Sequence, residues 1–347
     1  MDNQTNKLNY LGWGRKLVSG LAYLLFLGLA SLFLLELSYR YYWVDYYGSN
    51  LRALNQAVLS NTEERPNILV VGDSFSADQQ GYVSHVRKQF PQYRVVNAAV
   101  PGTCVRQHQL LFKARLKEYP PDLVIYQLYV GNDLLEYRHP TTGYGMSWKR
   151  KVYWWLSDRI WVLGYINAKL PALRATLAPD QHLSYDAKTD DTFAVAHYSR
   201  RTKTILRAEP HLLENSIELK GDRRGDMQQM TEDINKMLAE VPEGVPIVVL
   251  VLPHCVQMGE PYLSRMRQLG AEINLGVSGP AGHFPFYDHL KSSLSNQRTS
   301  VLNCLPWLLE TQSTKLYYPN DPHLTPNGHK VVADSLYAFL RNTITLH

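Results

Sequence analysis

The sequence predicts an α/β fold: a mostly parallel five-stranded sheet with helices on both faces, in three layers, preceded by one apolar helix. Two patterns carry this prediction. From residue 67 onward, short apolar runs rich in β-branched and aromatic residues alternate with helix-like segments, which is typical of a parallel sheet covered on both faces. Ahead of them, residues 17–35 contain no charged side chain and are long enough to cross a bilayer as a helix.

The apolar stretch is about 28 Å long as a helix, close to the thickness of a bilayer core. Three cations precede it and an aromatic group follows it: Lys7, Arg15 and Lys16, then Tyr39, Tyr41, Tyr42 and Trp43. This asymmetry predicts a cytoplasmic N-terminus and an extracytoplasmic remainder. A cleaved signal peptide and a buried core helix are the alternatives. The apolar run continues past Ala30-Ser31, the one plausible cleavage site, which favours an uncleaved anchor.

The sequence therefore divides into four parts. We predict a cytoplasmic leader at 1–16, a transmembrane anchor at 17–38, a stalk at 39–65 and a folded domain at 66–347. The protein is expected in the cell membrane as a single-pass protein. Its domain would be extracytoplasmic, which is the periplasm in a Gram-negative cell.

Strand and helix patterns alternate through the domain. Strands are predicted at residues 67–71, 93–99, 122–129, 246–252 and about 300–305. Helices are predicted at about 80–90, 105–118, 226–240 and 260–270, and from Pro326, which Thr325 caps. Residues 134–225 interrupt this alternation and are too long for a simple connection, so we predict a cap-like insertion there.

The first part of the insertion, residues 148–165, is rich in tryptophan and in basic side chains. Such a composition is found in lids that lie on a membrane surface. It is equally typical of an insertion whose aromatic side chains pack on the main domain. Whether residues 148–170 touch the membrane therefore stays open.

Composition excludes several classes of function. Of 347 residues, 45% are hydrophobic and 19% charged, which is enough to bury a sizeable core. The net charge of +5 is small and dispersed, so we expect no nucleic-acid partner. Cys104, Cys255 and Cys304 form no CxxC pair and have no metal-ligand spacing with histidine, so we expect no metal site. Whether two of them form a disulfide stays open.

Four polar segments stand out. Three lie at or near the predicted carboxyl ends of strands, and the fourth lies shortly before the last helix. They are Gly72-Asp73-Ser74-Phe75-Ser76, Asn97-Ala98-Ala99-Val100-Pro101-Gly102, Gly131-Asn132-Asp133 and Asp321-Pro322-His323. The carboxyl edge of a parallel sheet is where open α/β folds bind ligands. A serine there becomes a nucleophile when a base removes its proton, and histidine does this near neutral pH.

In these four segments the sequence resembles the SGNH (GDSL-type) hydrolases, over about residues 66–342 without the insertion. The resemblance implies a flavodoxin-like α/β/α fold and a serine esterase that needs no cofactor. It implies Ser74 as nucleophile, His323 as base and Asp321 as its acid. It also implies an oxyanion hole formed by the backbone N–H groups of Ser74 and Gly102 and by the Asn132 side chain. Asp73 is expected to be structural.

The sequence departs from the family in one place. Many members separate the aspartate and the histidine by two residues, whereas only Pro322 stands between Asp321 and His323. Asn320 occupies the two-residue offset and cannot carry the charge. Related members, including some that act on envelope polysaccharides, show an Asp-x-His pair. The alternative is that a backbone carbonyl orients His323 and that Asp321 points away.

Three functions follow as hypotheses. The first is hydrolysis of an ester through an acyl-serine intermediate, with an acylated glycan or lipid as substrate. The second, implied by membrane-tethered relatives, is O-acyl transfer to an envelope polysaccharide, beside a multispanning acyl-donor partner. The third is a non-catalytic scaffold that binds glycan. The sequence does not separate hydrolysis from transfer, because both use the same acyl-serine.

Overall fold

The computed structural model describes residues 2–60, 64–140, 145–177, 192–275, 284–311 and 315–343. The predicted strands are present: β1 (Asn67–Val71), β2 (Arg94–Asn97), β3 (Leu123–Tyr129), β4 (Ile247–Leu252) and β5 (Thr299–Asn303). They form one parallel sheet in the order β2-β1-β3-β4-β5. The predicted α/β fold is therefore confirmed.

Helices connect the strands and surround them. In chain order they are α1 (Asp2–Arg40), α2 (Gly48–Leu59), α3 (Tyr82–Gln89), α4 (Val105–Glu118), α5 (Asp133–Tyr137), α6 (Trp148–Ser157), α7 (Val162–Leu177), α8 (Arg200–Ala208), α9 (Leu212–Glu218), α10 (Arg223–Leu238), α11 (Glu260–Leu269), α12 (Pro285–Leu294), α13 (Cys304–Glu310) and α14 (Pro326–Thr343). One group, α3, α13 and α14, packs together, and so does a second group, α4, α10 and α12.

The sheet is the core of the domain. β3 lies at its centre, and all seven of its side chains are buried. Ile68 in β1 pairs with Val95 on one side and with Leu123 on the other, and all three are almost fully buried. Parallel strands that are covered on both faces read as continuous apolar runs, which is why the sequence pattern located these strands closely.

Residues 48–59 belong to the segment that is expected to be a stalk. They form α2, which packs against β2. Leu51 is buried in the core, and the Asn55 side chain donates to the Asn97 carbonyl (2.7 Å) and accepts from the Asn97 N–H (2.8 Å). The sequence pattern did not reveal this contact, because Asn55 is polar and yet lies on the buried face of α2 with Gly48 and Leu51.

The N-terminal helix α1 contains a segment, Lys16–Arg40, that is long and apolar enough to cross a membrane. Its apolar side chains are exposed along most of that length, Leu21, Leu25 and Phe33 among them. It is therefore not the core helix of the domain. By length and composition it suits a membrane anchor or a signal sequence.

The last turns of α1 are packed into the domain. The Glu36 carboxylate accepts from the backbone N–H groups of Trp161 (3.0 Å) and Val162 (2.9 Å), at the start of α7. Arg40 bonds to Glu36 and to the Arg159 carbonyl. Tyr39, expected at the membrane interface, is instead fully buried in a cluster of tyrosine rings, those of Tyr46, Tyr47 and Tyr165.

The insertion at 134–225 carries α6 to α9 and most of α5. Residues 141–144 and 178–191 of it lie outside the described residues, as do residues 344–347 of the expected domain. The Trp154 side chain of α6 is buried beneath the insertion with Met146 and Ile205. Helices α6, α7 and α8 contribute residues to a cleft that Gly102 also lines, as described below.

Candidate active site

Ser74 lies in the turn that follows β1, and this turn is hydrogen-bonded to β3. The Gln127 side-chain oxygen accepts from the Asp73 N–H (3.1 Å) and from the Ser76 hydroxyl (2.9 Å). A Cβ on Gly72 would come within 2.5 Å of that oxygen. Only glycine therefore allows the turn to lie this close to β3.

The structure brings Ser74, His323 and Asp321 together as one hydrogen-bonded chain. Ser74 Oγ lies 2.7 Å from His323 Nε2. His323 Nδ1 bonds to Asp321 Oδ1, which also accepts from the backbone N–H of His323 (2.9 Å). Since a carboxylate can only accept from Nδ1, the neutral ring carries its proton there, and Nε2 is free to accept from the serine.

The loop that carries His323 is held from two sides. Tyr317 and Leu324 form a bridge, and the Tyr317 hydroxyl donates to the Pro253 carbonyl after β4 (2.6 Å). Asn320 is buried and joins the loop to the end of the insertion: its amide donates to the Thr192 carbonyl, and its oxygen accepts from the Ala194 N–H (both 2.9 Å). Asn320 therefore faces the insertion and not the histidine.

Gly102 and the Ser74 backbone lie open for an incoming oxygen. Gly102 has φ +71°, a conformation that side chains disfavour, and a Cβ there would meet no atom within 4 Å. Within the described residues, the N–H groups of Ser74 and Gly102 donate to no other part of the chain. Asn132 precedes α5, and its side-chain amide lies against the buried Asp73.

A buried histidine fixes the loop on which Gly102 stands. The Thr103 hydroxyl donates to the Val100 carbonyl (2.7 Å), so its oxygen accepts from His108 Nε2 (3.0 Å). His108 Nδ1 in turn accepts from the Tyr126 hydroxyl of β3 (3.1 Å). Burial lowers the pKa of His108 to about 3, so the ring is neutral, as this pattern of donors and acceptors requires.

Two carboxylates are buried beneath the site. Burial raises the pKa of Asp73 and of Asp133, and the charge of Asp73 raises the pKa of Asp133 further. Asp73 accepts from the Phe75 N–H (3.0 Å), and Asp133 accepts from the Tyr129 N–H (2.7 Å). Both therefore order backbone around the site, the structural role expected of Asp73.

Aromatic rings support the histidine. The Phe75 ring lies 4.7 Å from His323 and 4.2 Å from Tyr129, measured between centroids. Tyr129 stacks in turn on His254, which is buried and accepts from the Val256 N–H (3.2 Å). The backbone therefore supplies a hydrogen-bond partner for His254.

Other polar candidates lie outside the site. His329 is buried and accepts from the Tyr82 N–H (3.3 Å). Cys104, Cys255 and Cys304 are buried free thiols, which answers the open question of a disulfide. No group of histidine, cysteine and acidic side chains within the described part of the chain is arranged to hold a metal ion.

Sequence reasoning missed Gln127, Thr103 and His108. Gln127 had a signal, because it is the one strongly polar residue of the buried strand β3. Thr103 follows Gly102 directly, and His108 lies one turn into α4. Their link depends on Tyr126 of β3, a contact between distant segments that no local pattern reveals.

No protein-family model matches the sequence, and no curated protein does. Among solved structures, TesA aligns at 16% identity and a TM-score of 0.38, over 80% of this chain and 98% of that one. A lipase/acylhydrolase from Enterococcus faecalis aligns at 9% identity and a TM-score of 0.40, over 81% and 98% of the two chains. A catalytic mutant of Axe2, an acetylxylan esterase from Geobacillus stearothermophilus, aligns at 14% identity and a TM-score of 0.41, over 80% and 93%. The proteins of known structure to which the chain is similar thus include an acylhydrolase and an acetylxylan esterase.

Proposed function

We propose that this protein is an SGNH-type serine esterase that works through an acyl-serine intermediate. One observation carries the proposal: Ser74, His323 and Asp321 form a continuous hydrogen-bonded chain beside the carboxyl end of β1. The histidine is partly open to solvent, with 28% of its side chain exposed, so a substrate can reach it. No metal or organic cofactor enters the proposed reaction.

In the first step Ser74 Oγ attacks the ester carbonyl carbon while His323 Nε2 takes the serine proton. Asp321 holds the ring in the required tautomer and stabilises the imidazolium that forms. The carbonyl oxygen becomes an oxyanion, which the N–H groups of Ser74 and Gly102 and the Asn132 amide would stabilise. Each such donor contributes about 3–4 kcal/mol to stabilising the transition state.

In the second step the C–O bond to the leaving alcohol breaks, and His323 returns its proton to that alcohol oxygen. Water then attacks the acyl-serine, with His323 as base, and releases the free acid and Ser74. A sugar hydroxyl in place of water would give acyl transfer. We propose hydrolysis as the activity and make transfer a measured outcome below.

We also propose that α1 stays attached and tethers the domain to the extracytoplasmic face of a membrane. Its last turns are part of the domain, because Tyr39 is buried there and Glu36 binds the start of α7. The basic residues before the apolar stretch favour a cytoplasmic N-terminus.

The decisive experiment is labelling of the detergent-solubilised full chain with a fluorophosphonate probe, which reacts with activated serines. We expect labelling of wild type, none of Ser74→Ala, and retained labelling of Ser76→Ala, because Ser76 is buried and bonded to Tyr82 and Gln127. Equal labelling of wild type and Ser74→Ala would refute the proposal, and no labelling of folded wild type would favour a non-catalytic scaffold.

A panel of short- and long-chain esters then defines the acyl group. Product analysis in the presence of a glycan acceptor separates the two fates of the acyl-serine. Free acid as the main product supports hydrolysis, whereas acylated glycan as the main product would replace the esterase by a transferase.

A further inference from the structure

A cleft of about 910 Å³ begins at Gly102 and runs between the insertion and the loop before α4. Helices α6 and α7 form one wall, with Arg150, Trp154 and Tyr165 among the lining residues. A volume of this size is at the upper end of the range for ligand pockets. Since Gly102 lines it, whatever binds in the cleft lies next to a proposed oxyanion donor.

Positive charge dominates the lining. Five basic side chains line the cleft, namely Arg106, Lys149, Arg150, Lys169 and Arg201, against one carboxylate, Glu136. Arg201 pairs with Glu136 (2.6 Å), and Arg106 lies 3.4 Å from Asp158.

The other three cations have no acidic partner among the residues that the structure describes. Within the described residues, no carboxylate lies within 4.0 Å of Lys149, Arg150 or Lys169. A cleft with unpaired cations attracts anionic ligands and raises their local concentration.

Aromatic rings stand beside these cations. Arg150 lies 5.9 Å from the centroid of Trp154, and Lys169 lies 5.5 Å from that of Tyr165. Tyr47, Tyr153 and Trp161 line the same cleft. A ligand that suits both the unpaired cations and the aromatic rings has flat, partly apolar faces and carries several negative charges along its length. Guanidinium and ammonium groups bind carboxylate or phosphate, and rings pack on the apolar face of a sugar.

We propose that this cleft binds the substrate as an anionic, O-acylated oligosaccharide and presents its ester at Gly102. This inference rests on the proposed esterase function and names its substrate class. The cleft meets the proposed site at Gly102, whereas Ser74 and His323 are not among its lining residues. A lipid acyl chain suits the cleft less well, because charged side chains interrupt the apolar surface of the cleft along the length of the cleft.

The test compares Lys149→Ala/Arg150→Ala/Lys169→Ala with a control that loses the same charge elsewhere, Lys88→Ala/Lys113→Ala/Lys117→Ala. The control lysines are exposed and lie outside the cleft. Each full-length protein, in neutral detergent, is assayed with O-acetylated oligouronides and with neutral O-acetylated xylo-oligosaccharides. We expect wild type and control to prefer the acidic substrate. The triple cleft variant should lose that preference by about 10-fold, mainly through KM, since exposed charge pairs contribute modestly each.

Binding is measured separately, so that failure of the inference and failure of the proposed function can be told apart. De-esterified oligouronide is titrated into Ser74→Ala and into Ser74→Ala with the three cleft substitutions. Binding that the cleft substitutions weaken supports the inference, even if no ester is turned over. Equal turnover of acidic and neutral substrates, equal losses on both, or binding of short-chain phosphatidylglycerol in place of oligouronide would overturn it. Equal fluorophosphonate labelling of wild type and Ser74→Ala would instead refute the proposed esterase function.

Discussion

At the scale of single residues, the short spacing of Asp321 and His323 has a geometric explanation. Asp321 Oδ1 accepts from the backbone N–H two residues on, which is an Asx turn, and also from Nδ1 of the same histidine. Pro322 between them has a fixed φ, which favours such a turn. A one-residue gap therefore brings the carboxylate to the ring, and the alternative in which Asp321 points away is wrong.

Replacing Asp321 tests whether this contact matters for the reaction. We expect Asp321→Asn and Asp321→Ala to lower kcat by about 10³- to 10⁴-fold, because the required tautomer of His323 is lost. Hydrolysis of p-nitrophenyl acetate measures the loss, with circular dichroism as the control for folding. A loss below about tenfold would mean that another group orients the ring.

The neighbouring Asn320 provides a second prediction. Asn320→Asp introduced into Asp321→Ala recreates the two-residue offset, yet we expect no recovery of kcat. The Asn320 side chain is turned toward Thr192 and Ala194, and a carboxylate cannot donate to the Thr192 carbonyl. Recovery of more than about tenfold would show that the loop can rearrange to use position 320.

Substitutions of Thr103 test whether its hydrogen bonds hold the loop that carries Gly102 in place for the reaction. Thr103→Val removes the hydroxyl and leaves the His108 N–H and the Val100 carbonyl without their partner. We expect kcat to fall by about tenfold, since an unpaired buried donor costs about 1–3 kcal/mol. Thr103→Ser keeps the hydroxyl and should retain most of the activity, whereas equal losses in both variants would point to a packing defect.

The residues of the site differ in how far the sequence reveals them. Ser74, Gly102, Asn132, Asp321 and His323 stand in four local segments, which indicate a site only when they are taken together and in order. Their support comes from β3 and α4 through side chains far apart in the chain, such as the bonds of Gln127 to the Ser74 turn. Local patterns carry no information about such pairs, so they emerge only from the fold.

At the scale of elements, strands of the buried sheet were easy to predict and the packing of surface helices was not. Continuous apolar runs located β1 to β5 within one or two residues at most ends. The residues of α2 read as mixed and polar, and its contact through Asn55 depends on β2. The helices of the insertion could not be placed either, because α7 packs against α1, α8 against α11 and α9 against α12, which are distant in the sequence.

His139 is a titratable contact inside the insertion. Its ring stacks on Trp154 (4.9 Å between centroids) and bonds to Asp158 (2.8 Å), with Glu136 3.6 Å away. Burial lowers the pKa of His139, but the two carboxylates outweigh burial and raise the pKa above its ordinary value. The charged ring therefore stabilises the folded state.

This contribution depends on pH in a definite direction. When the pKa of a histidine in the folded state lies above the unfolded value of about 6.5, its charged form stabilises the folded state. This stabilisation is fully present below about pH 6.5 and is lost as the pH rises through the folded-state pKa. We expect His139→Gln to lower the melting temperature at about pH 5.5 more than at about pH 8.5. Differential scanning fluorimetry of the full chain in detergent measures this, and an equal effect at both values would contradict the charge-based reason.

At the scale of the whole molecule, α6 has two different faces. Arg150 and Trp154 face the cleft. On the other side Trp148, Val152 and Trp155 are 69%, 46% and 49% exposed, at the spacing of one helical stripe. Exposed tryptophans in a row mark an interaction surface, and tryptophan is enriched where membranes meet water.

Contacts at the carboxyl end of α1 determine where the exposed stripe of α6 lies relative to that helix. Arg40 closes the apolar segment and bonds to the Arg159 carbonyl, two residues after α6, while Arg159 covers the Trp155 ring at 4.1 Å. If α1 crosses the membrane, the carboxyl end of α6 is held at the membrane surface. We therefore expect the exposed stripe of α6 to lie in the headgroup region, with the cleft above it.

Spin labels measure this depth directly. A nitroxide on Val152→Cys in lipid nanodiscs should collide more with oxygen and less with an aqueous nickel chelate than one on Lys236→Cys, an exposed position on α10. Labelling is specific because the native cysteines are buried. Equal accessibility at both positions would place α6 in water, and Trp148 and Trp155 would then need another partner. A deep signal at position 152 that Glu36→Ala abolishes would show that the contact between α1 and α7 sets the orientation of the domain, because Glu36 is what binds the start of α7.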